Sequence, residues 1–240
     1  MITALIPARG GSKSIPRKNI VDVGGFPLIS YSIAACKLSK NIDRIVVSTE
    51  DEEIATIAEK FGAEVPFMRP AELSQDDSTD VGFLKHFFNN INVGDVALIR
   101  PTTPLREPKV LDKVIECYFG TRERITGLRT VNEINENPYK VYKIYNNACK
   151  GFFKDFEGHG DYTNLPRQTF PKAYIGNGRI DIIKKETVLQ GSTYGDMIYP
   201  YICDKTIDID SFYDLKMARI MIQDNDELLK FLRRQKNEQN

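Results

Sequence analysis

Short apolar runs alternate with stretches of helical periodicity through the first half of this chain, and that alternation leaves few architectures open. Residues 2–7, 43–48, 64–68, 95–99 and 125–131 read as strands. IVV and VALI within them lack polar alternation, as strands buried on both faces do. Residues 27–38, 52–61, 79–90 and 108–119 carry apolar side chains at helical spacing, and Gly62 stops the second of these stretches. Strands separated by helices of this length predict an α/β fold, a mostly parallel sheet with helices on both faces. Residues 180–183 and 198–203 add strands, and 212–223 and 227–235 close the chain as helices.

From residue 137 to 170 the pattern changes. Tyr139, Tyr142, Tyr145, Phe152, Phe153 and Phe156 arrive among Asn, Lys and Gly. Val141 and Ile144, with breaks at Gly151 and Gly158, favour short antiparallel strands over a helix. The segment reads as a small insertion in a single domain covering 1–240. Its aromatic side chains suit an oligomer interface and a hairpin folded on its own domain equally well. A length of 240 residues with 41% apolar content is enough for one large core.

Lys plus Arg and Asp plus Glu both number 33, so the formal net charge is zero. Long-range attraction to nucleic acid or an acidic membrane is therefore not favoured, and any anion site must be local. Cys36, Cys117, Cys149 and Cys203 are widely spaced with no CxxC pair, which argues against a disulfide framework or a zinc site and for reduced thiols in a cytoplasm. The N-terminal apolar run is too short for a signal peptide, and no run approaches the ~18 apolar residues of a membrane span. A soluble cytoplasmic protein is expected. His86 and His159 have no partners at suggestive spacing and are assigned no chemistry.

The segment IPARGGSKSIPRKN, residues 6–19, follows the first strand. It sets Arg9, Lys13, Arg17 and Lys18 around Gly10, Gly11 and Ser12. A Gly-rich turn at a strand end offers free backbone N–H groups, and the cations add positive charge, so the loop suits a polyphosphate. Walker A spacing is absent and GGSKSI lacks the third Gly of a dinucleotide fingerprint. P-loop hydrolysis and NAD-dependent oxidoreduction are disfavoured. Preplaced cations instead suit a triphosphate whose pyrophosphate leaves.

Three further motifs are compatible with a ligand site. In IDID, residues 207–210, Asp208 and Asp210 would share one face of a strand. They would hold Mg²⁺ through oxygen ligands, or form a solvated edge with Asp210 or Ser211 capping the next helix. RPTTPLR, residues 100–106, follows a strand, where parallel sheets bind ligands. It offers substrate contacts or a stiff loop with an ion-paired arginine. PRQ at 166–168 carries an arginine fork suited to a carboxylate or a plain surface charge, and GNG at 176–178 is a hairpin turn or a close approach to a ligand; residue type alone favours the surface charge and the turn.

Taken together, these motifs resemble those of the CMP-sugar synthetases, the acylneuraminate cytidylyltransferases and their relatives. IPARGGSKSIPRKN is similar to the family's opening motif. RPAEL at 69–73, RPTTPLR, PRQ, NG at 177–178 and IDID follow in the family's order, over about residues 2–218. The resemblance implies a Rossmann-like α/β nucleotidyltransferase with a small antiparallel dimerisation insertion, hence a homodimer. It implies transfer of CMP from CTP to the anomeric hydroxyl of an acidic 2-keto-3-deoxy sugar, with pyrophosphate released. Arg9, Lys13 and Lys18 would handle the triphosphate. Gly10, Gly11, Ser12, Asn19, Arg69 and Ser78 would line the nucleotide. Arg100, Thr102, Lys140, Arg167, Gln168 and Asn177 would contact the sugar, and Asp208 and Asp210 would hold Mg²⁺.

The chain departs from sialic acid members at Arg100, Ile175 and Arg179, all on the sugar side. The expected acceptors therefore extend to legionaminate, pseudaminate and Kdo. A GTP-using nucleotidyltransferase and a non-catalytic nucleotide-sugar binding protein are the competing readings.

Overall fold

The computed structural model describes residues 1–224 and 226–238. In chain order the elements are β1 (Ile2–Pro7), a two-residue pair β2 (Asp22–Val23) and β3 (Phe26–Pro27), α1 (Leu28–Leu38), β4 (Ile42–Ser48) and α2 (Glu52–Lys60). Then come α3 (Asp80–Asn90), β5 (Val96–Leu98), α4 (Pro108–Thr121) and β6 (Gly127–Glu133). The hairpin β7 (Tyr142–Tyr145) and β8 (Ala148–Gly151) precedes β9 (Tyr174–Ile183), α5 (Lys185–Leu189), β10 (Ile198–Ile202), α6 (Phe212–Met221) and α7 (Asp226–Glu238).

The main sheet runs β10-β6-β9-β5-β1-β4. Its neighbours pair in parallel except at β9, which is antiparallel to both β5 and β6. This is the mostly parallel sheet the alternation predicts. Strand side chains alternate between two cores. Ala4, Ile6, Val47, Ala97, Ile180 and Ile182 join the face covered by α1, α4, α6 and α7. Leu5, Val46, Val96, Leu98 and Ile183 meet Phe83, Leu84, Phe87 and Phe88 of α3 on the other. Two-sided burial explains why IVV and VALI show no polar alternation.

Four local readings are corrected. Residues 64–68 form no strand; Glu64 makes a single bridge to Val46, and Pro66 lacks the N–H a ladder needs. Residues 207–210 form no strand either. The Ile209 N–H donates to the carbonyl of Thr102 at 2.8 Å, and the Ile209 side chain is buried. Gly176-Asn177-Gly178 is not a hairpin turn but part of β9. The register against β6 shifts there, between Arg129 and Val131, and Gly178 takes φ 68°, open to glycine without strain. The helix from 212 ends at Met221 and continues as a 3-10 turn over Ile222–Asp224.

The insertion contains the expected antiparallel strands. Asn146 and Asn147, at φ 50° and 60°, close the hairpin with the two left-handed residues its twist favours. Its aromatics divide between two roles. Tyr139 stacks on Phe170 at 5.1 Å and touches Phe153 and Phe156, forming a local core with buried Tyr162. Tyr142, Ile144 and Tyr145 on the hairpin are exposed.

The loop after β5 is tied to β9 by Arg106, which is fully buried. Its guanidinium donates to the carbonyls of Arg100 at 2.8 Å and Gly178 at 3.0 Å, and to Ser32 Oγ at 2.9 Å. It also donates to the Thr103 hydroxyl and the Arg179 carbonyl. Burial lowers its pKa to about 10, so it stays charged at neutral pH. Replacing Arg106 with Met strands several buried acceptors and is expected to cost about 3 kcal/mol or more of stability in urea unfolding. A loss below about 1 kcal/mol would show that the loop holds without it.

Candidate active site

A cavity of about 460 Å³ opens beyond the carboxyl ends of β1 and β5, where ligands bind in sheets of this kind. It gathers the basic loop after β1, the segment 69–83 and the loop after β5. Among the residues predicted from sequence, it brings together Arg9, Gly11, Ser12, Lys13, Lys18 and Asn19. Arg69, Ser78, Arg100, Thr102 and Asp210 complete that set.

Cations in the cavity meet carboxylates of the fold. Arg9 and Lys13 share Asp76, at 3.0 and 2.8 Å, and Lys18 pairs with Asp210 at 3.1 Å while donating to the carbonyl of Ile209. Asp76 is held below the usual carboxylate range by the hydrogen bond from Lys13 and by the charges of Lys13 and Arg9. Asn19 is buried and donates to the carbonyl of Arg9 at 2.8 Å, fixing the loop from below. Arg17 is not part of the cavity wall. It sits at φ 55° and turns to Asp51 and Glu53 at the start of α2.

Arg69 is buried under the segment it begins. It donates to the backbone carbonyl and hydroxyl of Ser48 and lies 5.1 Å from the centre of the Phe83 ring. Burial is the main cause of its lowered pKa. Ser78 donates to the carbonyl of Glu72 and accepts from the N–H of Gln75, so the loop carrying Asp76 is stapled to itself. Arg100 bridges two carboxylates, Asp80 at the start of α3 and buried Asp181 of β9. The ion-paired arginine is thus what the structure shows at this position.

Other predicted residues lie off this wall. The Gly10 N–H donates to Glu50 at 2.7 Å, and a Cβ there would meet Asp51 at 2.5 Å, so this glycine serves packing against the end of β4. Asp208 is exposed. Lys140 donates to the carbonyl of Thr163 and lies over Phe170. Arg167 donates to Asn135, and Gln168 is exposed on the following turn. Asn177 is buried, donating to Cys203 and accepting the N–H of Arg179.

Sequence reasoning missed Asp76, Asp80 and Phe83. Their signal, DDSTD before an apolar helix, reads as a helix start, and Thr79 and Asp80 do begin α3.

A solved CMP:2-keto-3-deoxy-manno-octonic acid synthetase in complex with CTP shares this architecture. The TM-score is 0.68 at 15% identity, covering 93% of this chain and 98% of the other. A 4-diphosphocytidyl-2C-methyl-D-erythritol synthase from Anaerococcus prevotii matches with TM-score 0.61 at 12% identity, covering 92% and 98%. The fold is that of an α/β nucleotidyltransferase. A family described as cytidylyltransferase matches residues 3–226, and the chain belongs to it.

Several relatives are about equally similar. The N-acylneuraminate cytidylyltransferase of Escherichia coli is 30% identical over 221 residues, 90% of this chain and 51% of that protein. The pseudaminic acid cytidylyltransferase of Campylobacter jejuni is 30% identical over 240 residues, 93% and 97%. The CMP-N,N'-diacetyllegionaminic acid synthase of Legionella pneumophila is 30% identical over 238 residues, 95% and 99%. The chain therefore spans about half of the first relative and nearly all of the other two.

Asp76 competes with any other anion for Arg9 and Lys13. Asp76→Asn is expected to tighten CTP binding about two- to fivefold in calorimetry, the scale of an exposed ion pair. Weaker binding would instead make Asp76 a contact of the nucleotide.

Proposed function

We propose that the protein transfers CMP from CTP to the anomeric hydroxyl of a nonulosonate, a nine-carbon acidic 2-keto-3-deoxy sugar, and releases pyrophosphate. The observation that carries this reading is the convergence of Arg9, Lys13 and Lys18 on one cavity that Arg69, Ser78 and Phe83 also line. The cations suit the charge that grows on departing pyrophosphate, once Arg9 and Lys13 exchange Asp76 for phosphate oxygens. The sugar hydroxyl oxygen bonds to the α-phosphorus as its proton passes to solvent, and the bond from that phosphorus to the bridging oxygen breaks, its electron pair leaving with pyrophosphate. The relatives' own acceptors, N-acylneuraminate, pseudaminate and diacetyllegionaminate, set the range of sugars. Arg167 and Lys140 are the candidates to meet the sugar carboxylate, because an arginine fork matches a carboxylate in two bonds.

Asp208 and Asp210 offer the hard oxygen donors magnesium takes. Among the described residues no three His, Cys, Asp or Glu side chains converge as a ready-made metal cage. Asp210 lines the cavity, where an ion it held would complete its shell with phosphate oxygens. Bound there, magnesium would shield phosphate charge. We assign the exposed β7–β8 hairpin, with Tyr142 and Ile144 on one face and Tyr145 on the other, to a second copy of the chain. No helix among the described residues is long and apolar enough to cross a membrane.

Pyrophosphate release tests the reaction, with CTP, GTP, UTP and ATP crossed against N-acetylneuraminate, legionaminate, pseudaminate and Kdo in magnesium buffer. Release is expected with CTP and a nonulosonate; CTP binding without release from any acid would make this a binding protein. In the active pair, Asp208→Asn is expected to lower kcat by about a hundredfold or more with an unchanged circular dichroism spectrum. Ile144→Asp is expected to convert a sedimenting dimer to monomer, and a wild-type monomer would reject the assembly.

A further inference from the structure

We propose that Asp181 is a positioning residue that holds Arg100 at the cavity wall as a specificity-determining contact for the sugar, an inference that rests on the acceptor reading above. The register of β9 sets Asp181 between Leu98 of β5 and Arg129 of β6. Leu98, and Ile183 two residues along β9 on the same face, belong to the apolar core packed on α3. Asp181 is 1% exposed, so the carboxylate stands where apolar packing would otherwise continue. A carboxylate buried like this is costly unless it is paired.

Its partners converge on Arg100. Asp181 Oδ2 accepts from Arg100 at 3.3 Å and from the Tyr194 hydroxyl at 2.6 Å. Arg129 lies with its Nε 3.8 Å from Oδ1 and its guanidinium carbon 4.9 Å from the centre of the Tyr194 ring. Oδ1 and that Nε are buried without a hydrogen-bond partner, so the network is not arranged to satisfy its own atoms best. What it does fix is the fork of Arg100, one terminal nitrogen on Asp181 and the other on Asp80.

Arg100 nevertheless lines the cavity, its side chain 28% exposed. Two guanidinium groups, Arg100 and Arg129, face two carboxylates, Asp80 and Asp181, and their formal charges cancel. Arg100 thus shows a substrate oriented N–H donors with little net charge. That suits an uncharged oxygen of the sugar, a hydroxyl or an amide carbonyl. A planar fork already held in place loses little freedom on binding.

The test compares wild type, D181N, R100M and R100M/D181N. Calorimetry with CTP alone gives the nucleotide affinity, and pyrophosphate release gives kcat and the KM for the sugar. D181N and R100M are each expected to raise the sugar KM about tenfold or more, with CTP affinity within about twofold of wild type. The double variant is expected to match R100M, because Asp181 acts through Arg100. If D181N does not fold, Asp80→Asn, which frees the other end of the same fork, is expected to raise the sugar KM in the same selective way. Effects that multiply in the double variant, a rise in sugar KM matched by an equal loss of CTP affinity, or an unchanged KM would overturn the inference while leaving the reaction standing. Wild-type protein that releases no pyrophosphate with any acid would overturn the acceptor reading, and the inference with it.

Discussion

The wall of the candidate site depends on one buried guanidinium. Taking Arg106 out of water is unfavourable unless its donors are all used. Each of its three nitrogens donates, to acceptors drawn from α1, from its own loop and from the β9 bulge. The loop it fixes carries Arg100 and Thr102. The Thr102 carbonyl takes the Ile209 N–H, and the Ile209 carbonyl takes Lys18 of the basic loop. One chain of hydrogen bonds therefore runs from the buried arginine through residues 207–210 to the cations of the cavity. Segments far apart in sequence share one rigid frame, although 207–210 has no strand partners of its own.

Charge pairing is the second organising feature. The chain has no net charge, yet its cavity gathers Arg9, Lys13, Lys18, Arg69 and Arg100. Like charges so close would repel, and Asp76, Asp210 and Asp80 offset them. The pairs differ in depth. Lys13 and Asp76 are open to water, where an ion pair is weak and exchangeable. Arg100 and Asp181 sit against the core, where exchange is costly. A polyphosphate can displace the first kind and must work around the second. This gradient separates groups that suit exchange with the substrate from groups that suit shaping the site.

Much of the fold was legible because periodicity is local. Strands buried on two faces, helices with one apolar stripe and the glycine stop after α2 follow from neighbouring residues. One misreading passed over a local signal, Pro66, and the others came where a distant segment decided the outcome. Residues 64–68 looked like a strand, but Pro66 limits them to one bridge beside β4. GNG looked like a turn, but β6 pairs on either side of it and makes it a bulge in an antiparallel strand. The aromatic insertion divided between a local core around Tyr139 and an exposed hairpin face. Tyr139, Tyr142 and Tyr145 differ only in what the chain folds over them.

The sequence by itself determined the α/β class and the cluster of cations in the loop after the first strand, and its motif order pointed to the cytidylyltransferase family. Those features rest on spacing within short segments. The tertiary structure alone decided the pairings: Asp76 with Arg9 and Lys13, Glu50 with the Gly10 N–H, and Asp181 with Arg100. Asp181 shows why. In GNGRIDI it is one acid after an arginine, with nothing local to mark it. Only the antiparallel entry of β9 between β5 and β6 sets it beside Arg100 and Arg129, in a place from which water is excluded.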